Sequence, residues 1–250
     1  MKSPIKDLRY KNYSTYELKN IIERGAVVNT FGLFAANVEL SLSLSERKVN
    51  AHTDKHVIHQ FWECLISDSS RLYSILTYRG FKFKSELEFN LLQEDLPTYK
   101  DAYFRSSLFY LLNRCSTTGQ VSCGKFDIKN YTAIGLNHLK TFKKPELFDV
   151  LLYEQNRTID VKGDYLLFPT LNFTYNLSNI GKNTSYDGYN FNHRKLKDLL
   201  KNQDKKIILI YNKHPGLFSF YKNHNIIMID KHGKQTLTKD DYEEAIVTNF

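Results

Sequence analysis

Three histidines, His52, His56 and His59, fall within eight residues, and His56 with His59 would share a helix face at i, i+3. Imidazoles so spaced could ligate a metal. No Glu-x-x-His pattern and no cysteine pair accompanies them, so no metal is expected. Cys64, Cys115 and Cys123 are odd in number and lack a Cys-x-x-Cys spacing, which argues against a disulfide framework or a zinc site and for free thiols. Basic side chains form two groups: Lys125, Lys129, Lys140, Lys143 and Lys144, then His193, Arg194, Lys195 and Lys197. Such runs can neutralise phosphates, although a charge run can also serve only as a solvated face. The whole chain carries 35 Lys+Arg against 27 Asp+Glu, 35 − 27 = +8, which favours an anionic partner, nucleic acid first.

The elements that must position these residues are read from periodicity. With 250 residues, 42% hydrophobic, and 34 Phe plus Tyr (17 + 17) against 11 Gly, the chain has material for a folded domain, not a disordered tail. Residues 16–23 read as a helix leading into a short buried strand at 26–28. Apolar positions at steps of three and four predict helices over 54–76, 85–92 and 99–113. The text then becomes turn-rich at 115–129, as in a β-hairpin or loop. Further on, 148–153 and 165–168 read as buried strands, the latter stopped by Pro169. A basic helix at 192–202 precedes the strongest strand, 207–211, followed by a short helix at 217–221 and strands at 226–229 and 245–248. No apolar run reaches the length of a signal or membrane segment, so a cytoplasmic chain without a membrane partner is expected. The Asn-, Lys- and Ile-rich usage suits an AT-rich genome such as that of a virus or phage.

The order of landmarks resembles the Dam-type DNA adenine methyltransferases. Leu111-Leu112-Asn113-Arg114, followed by a turn-rich segment ending Gly124-Lys125-Phe126, is similar to that family's Leu-Asn-Arg block and target-recognition hairpin. Residues 185–191 (Ser-Tyr-Asp-Gly-Tyr-Asn-Phe), the helix after them and Ile208-Leu209-Ile210-Tyr211-Asn212 resemble its Tyr-x-x-x-x-Phe, helix and Leu-Leu-Ser-Asn strand. The ending Glu244-Ala245-Ile246-Val247-Thr248-Asn249-Phe250 is similar to its Glu-Leu-Leu-Ile-Thr-Asn-Tyr. The resemblance implies an α/β fold: a mostly parallel, Rossmann-like S-adenosylmethionine methyltransferase sheet (1–53 and 145–250) with a helical insert carrying a β-hairpin (54–144).

Each chemical motif of the family is altered here. Where the family has Asp-Pro-Pro-Tyr, whose acid and backbone carbonyl accept from the adenine amine, the segment after Asp164 reads Tyr165-Leu166-Leu167-Phe168-Pro169-Thr170-Leu171-Asn172-Phe173-Thr174-Tyr175. An active enzyme would have to work through Asn172 and Tyr175. The acidic Pro-Phe-x-Gly-Gly-Gly loop that should hold the cofactor is replaced by Asn29, Thr30, Phe31, Gly32, Leu33, Phe34 and Ala35, with Leu33 and Phe34 expected to project into the cofactor's place. The acid that should grip the ribose falls near His52, with Asp54 two residues late, and the N-terminal Gly-Gly-Lys turn is missing although Ser3-Pro4 remains.

The expected protein is therefore a catalytically degenerate DNA adenine methyltransferase-like chain, without cofactor, acting as a nucleic-acid-binding or assembly subunit alongside other proteins. The alternatives are a divergent active methyltransferase using S-adenosylmethionine, and a purely protein-binding structural subunit. Candidate nucleic-acid contacts are Arg114, Gln120, Ser122, Lys125, Lys129, Lys143, Lys144 and Arg194. Gln120 or Ser122 stands where the family reads guanine with arginine, so sequence-specific readout is not implied.

Overall fold

A computed structural model of the chain describes residues 2–8, 10–78, 83, 85–153, 161–173, 191–201 and 204–250. Its strands are β1 (Val27–Phe31), β2 (Lys48–Thr53), β3 (Phe148–Leu152), β4 (Tyr165–Leu171), β5 (Lys206–Asn212), β6 (Asn225–Asp230), β7 (Gln235–Thr236) and β8 (Tyr242–Thr248). They form one sheet in the order β3-β2-β1-β4-β5-β8-β6-β7. The first five are mutually parallel. β8 is inserted antiparallel between β5 and β6, and β7 is a short antiparallel edge on β6. The described helices are α1 (Thr15–Ile21), α2 (Asn37–Ser43), α3 (His56–Tyr78), α4 (Glu86–Asp95), α5 (Ala102–Arg114), α6 (Ala133–Lys140), α7 (His193–Leu199) and α8 (Leu217–Phe220). The protein is thus α/β with a mostly parallel sheet.

The sheet is buried on both faces, which is why its centre reads as continuous apolar text. Successive side chains alternate between two cores. On β5, Ile208 and Ile210 join a core shared with α1, α2, α3, α5 and α6, while Ile207, Leu209 and Tyr211 join a second core under α7 and α8. β4 divides the same way, with Tyr165 and Leu167 in the first core and Leu166 and Phe168 in the second. α3 packs on the sheet through Trp62, whose ring meets Phe148 at 5.8 Å and whose Nε1–H donates to the Phe34 carbonyl at 2.8 Å. At Asp68 (φ −157°, ψ 86°) α3 breaks, and the Asp68 carboxylate restarts it by accepting from the Arg71 amide at 3.0 Å and the Ser70 hydroxyl at 2.6 Å.

Three local expectations are corrected. β4 does not stop at Pro169 but continues to Leu171, because past Leu167 it has left β1 and pairs with β5 alone, through a register shift between Pro169 and Leu171. A proline is tolerated at such an open edge. The 115–129 segment takes the loop form of the two expected and not the β-hairpin that the resemblance implies: it is closed by one antiparallel bridge, Ser116 to Phe126, and ended by a 3-10 turn at Ile128–Asn130. The basic helix is shorter than 192–202, running His193–Leu199, with the Asn192 side chain accepting from the Arg194 and Lys195 amides.

Candidate functional site

The order of parallel strands reverses between β1 and β4, and open α/β sheets bind ligands beyond the carboxyl ends of the strands at such a point. A cleft lies there, between Gly32, Ala35 and Glu39 on one side and Pro169, Thr170 and Phe191 on the other, with Asp7 and Tyr10 from the N-terminal segment. The cavity within it is small, about 60 Å³. Gly32 has φ +91°, and a Cβ there would lie 2.7 Å from Phe191 Cζ, so the Phe191 ring rests on the glycine. The chain reverses at this residue, and Leu33 turns into the first core, fully buried, instead of projecting into the cleft. Phe34 stands at the wall of the cleft, its ring 6.3 Å from that of Phe109.

On the second face of the sheet, the strand ends are covered by a stack of rings. Phe31 and His52 are register partners on β1 and β2, and their rings stack at 4.7 Å. Phe168 of β4 stacks on the other side of Phe31 at 4.9 Å. The Tyr153 ring meets Phe31 edge-on at 5.6 Å and His52 at 6.2 Å. Burial lowers His52 to about 4, so its ring is neutral near pH 7. His52 Nε2–H donates to Asn29 Oδ1 at 2.9 Å, a tautomer required because a carboxamide oxygen only accepts. The Asn29 amide in turn donates to the Lys162 carbonyl at 3.1 Å. The two positions where the resemblance places carboxylates thus hold a neutral amide and a neutral imidazole bonded to each other.

The residues do not fit S-adenosylmethionine. No carboxylate stands at either of the two strand ends that should face the ribose and the methionine group, the backbone at Gly32 is covered by Phe191, and Phe31 is sandwiched between rings. Asp54 is near the end of β2 with its carboxylate 3.7 Å from Lys55 Nζ. Glu39 stands with Asp7 among the acids on the cleft wall, and burial raises it to about 7. Asn172 is exposed, and its Oδ1 accepts from the Asn212 amide at 3.0 Å. Phe173 is buried against Tyr211, Phe220 and the rings of His193 and His214. Tyr175 and residues 185–190 lie outside the described residues.

The Leu-Asn-Arg block is a clamp. Asn113, fully buried on α5, donates to the Lys6 and Gly119 carbonyls at 2.9 and 2.6 Å and accepts from the Lys6 amide at 2.9 Å. It joins the N-terminal segment to the loop that ends α5. Gly119 (φ +88°) must be glycine, since a Cβ would sit 2.1 Å from the Lys6 carbonyl oxygen. Arg114 Nε donates to the Asn130 carbonyl at 2.9 Å, which turns it toward α6. Gln120 and Ser122 are half-buried, whereas Lys125, Lys129, Lys140, Lys143 and Lys144 are exposed. The Ser69 hydroxyl donates to the Lys140 carbonyl at 2.9 Å, and Lys140 Nζ lies 5.0 Å above the Tyr73 ring, so the second half of α3 adjoins this basic surface. Lys144 pairs with Asp149 at 2.6 Å. Arg194 is exposed in the first turn of α7. Two of the three histidines go to separate partners, His52 to Asn29 and His59, at 3.1 Å, to Glu63.

The sequence matches no protein-family model, and no curated protein is significantly similar to it. Among the described residues, no helix is long and apolar enough to cross a membrane. Sequence reasoning missed Glu39, Phe168 and Tyr153 as parts of the site. Glu39 carried a signal, a lone acid within the otherwise uncharged stretch 33–45. The aromatic stack carried none, because its members come together only through strand register.

Proposed function

We propose that the chain is a catalytically degenerate relative of the Dam-type DNA adenine methyltransferases that serves as a nucleic-acid-binding or assembly subunit. The observation that carries this reading is the closed switch point: a neutral Asn29 and a neutral His52 hydrogen-bond to each other where acids are needed, and the ring stack of His52, Phe31 and Phe168 occupies the strand ends. The strand order β3-β2-β1-β4-β5, with antiparallel β8 between β5 and β6, supports descent from a methyltransferase-like sheet. Exposed lysines on the loop after α5 and beyond α6 support retention of an anion-binding face. Asn172 presents a neutral amide whose side-chain oxygen accepts from Asn212, in place of the acid that the family's motif supplies to the adenine amine.

Titration of labelled duplex DNA and RNA by fluorescence anisotropy across about 50–200 mM salt tests this reading. Each phosphate contact contributes about −0.9 to the slope of log affinity on log salt for B-DNA. Replacing Lys125, Lys129 and Lys143 by alanine is expected to flatten that slope by about 3. Absence of salt-dependent binding to both nucleic acids would overturn the nucleic-acid reading.

A further inference from the structure

We infer that α4 and the groove beside it form a docking surface for a basic amphipathic helix of a protein partner. α4 reads Glu-Leu-Glu-Phe-Asn-Leu-Leu-Gln-Glu-Asp, with four carboxylates and no base. In a chain of net charge +8 this is the reverse of the nucleic-acid face. The helix is held firmly. Ser85 caps it by accepting from the Glu88 amide, Phe89 is fully buried, and the buried Gln93 side chain donates to the Val121 and Gly124 carbonyls at 2.6 and 3.0 Å. The other side of the same helix exposes Leu87 by 67% and Leu91 by 51%. These lie one turn apart, at i and i+4, the spacing with which a helical partner is read.

Next to them a cavity of about 200 Å³ opens between α4 and α5, walled by Leu92, Tyr99, Phe104, Leu108 and Leu111. A cavity of that size accepts one or two large apolar side chains. Glu88 of α4 lines it, Glu86, Glu94 and Asp95 are exposed on the same helix, and among the described residues none of the ion pairs uses these last three. Apolar anchors within an acidic rim select a helix with Leu or Phe on one face and Lys or Arg beside it. The same carboxylates repel phosphate, which excludes nucleic acid and anionic lipid from this surface. The inference is independent of the fate of the methyltransferase site.

The test is fluorescence anisotropy with a labelled peptide of Leu and Lys at helical spacing, beside a scrambled peptide of the same composition and one with Glu for Lys. Leu87→Gln with Leu91→Gln keeps helix propensity and removes the anchors; Glu94→Lys with Asp95→Lys keeps the anchors and reverses the rim. Saturable binding of the amphipathic basic peptide alone, weakened at least tenfold in either double variant while thermal unfolding stays cooperative, supports the inference. Three results would overturn it: no saturable binding, equal binding of the scrambled peptide, or equal binding by the variants. So would a concentration-dependent dimer of the native protein that the Leu87/Leu91 variant abolishes, since a second copy would then be the occupant.

Discussion

Asn113 and Asn29 are both buried asparagines with their amides bonded to backbone, yet they act on different scales. Asn113 bonds the backbone of two distant segments, at Lys6 and Gly119, and so ties the N-terminal segment to the loop after α5. Asn29 bonds Lys162 once and otherwise engages side chains of the neighbouring strand, His52 at 2.9 Å and Asn50 at 3.3 Å. The first region keeps the framework; the second closes a strand end where the resemblance calls for charge. A sheet end can be closed by neutral side chains while a clamp elsewhere is kept, because buried backbone groups must be satisfied in either region.

The largest difference between the regions should appear in stability. Asn113→Ala leaves the Lys6 amide and two carbonyls buried without partners, and is expected to cost about 3 kcal/mol. Asn29→Ala leaves one carbonyl and a neutral imidazole, and about 1 kcal/mol is expected. Urea unfolding of both variants checks the order; equal losses would break the comparison.

A second contrast is readable in pH. Glu39 is raised to about 7 in the fold from 4.5, so its contribution is full below 4.5 and is lost as pH rises through 7. His52 is lowered to about 4 from 6.5, so its contribution is full above 6.5 and is lost as pH falls through 4. The two slopes oppose each other between about pH 4.5 and 6.5. Relative to the native protein, Glu39→Gln should gain stability by about 2 kcal/mol as pH rises across that window, and His52→Phe should lose about as much. Unfolding measured at several pH values separates them; parallel curves would show that neither group is buried as described. Asn29→Asp sharpens the same point, since a carboxylate beside His52 should raise its pKa, which NMR titration of the imidazole follows.

Much of the framework was legible in the sequence because it is local. The apolar spacing of α3 and α5 and the Ile207–Tyr211 run report their own periods, and Ser85 stands at the start of α4 where the helix over 85–92 is expected to begin. α2 was not legible: its N-cap position is Ala36 at φ +53°, with no capping side chain. α6 was overlooked although Thr132 caps it by accepting from Gly135. The site was less legible still. That Phe191 lies on Gly32, that Phe31 pairs with His52 and that Leu33 faces the first core are all consequences of long-range register. The departures from the family's motifs were visible; the packing found at those positions was not.

The smallest expected effect lies within the basic face. Lys144 is tied to Asp149, so Lys144→Ala should flatten the salt slope of nucleic-acid binding less than Lys143→Ala, whose full effect is about 0.9 on DNA. A larger effect at Lys144 would place the contact surface on the β3 side of this turn.

The central claim is that the switch point of the sheet is closed to S-adenosylmethionine. Titration calorimetry of the native protein with S-adenosylmethionine, followed by a methyl-incorporation assay on adenine-containing DNA with the same preparation, tests it most directly. The account predicts no saturable heat and no incorporated methyl group. Micromolar binding together with methyl transfer to adenine would contradict it.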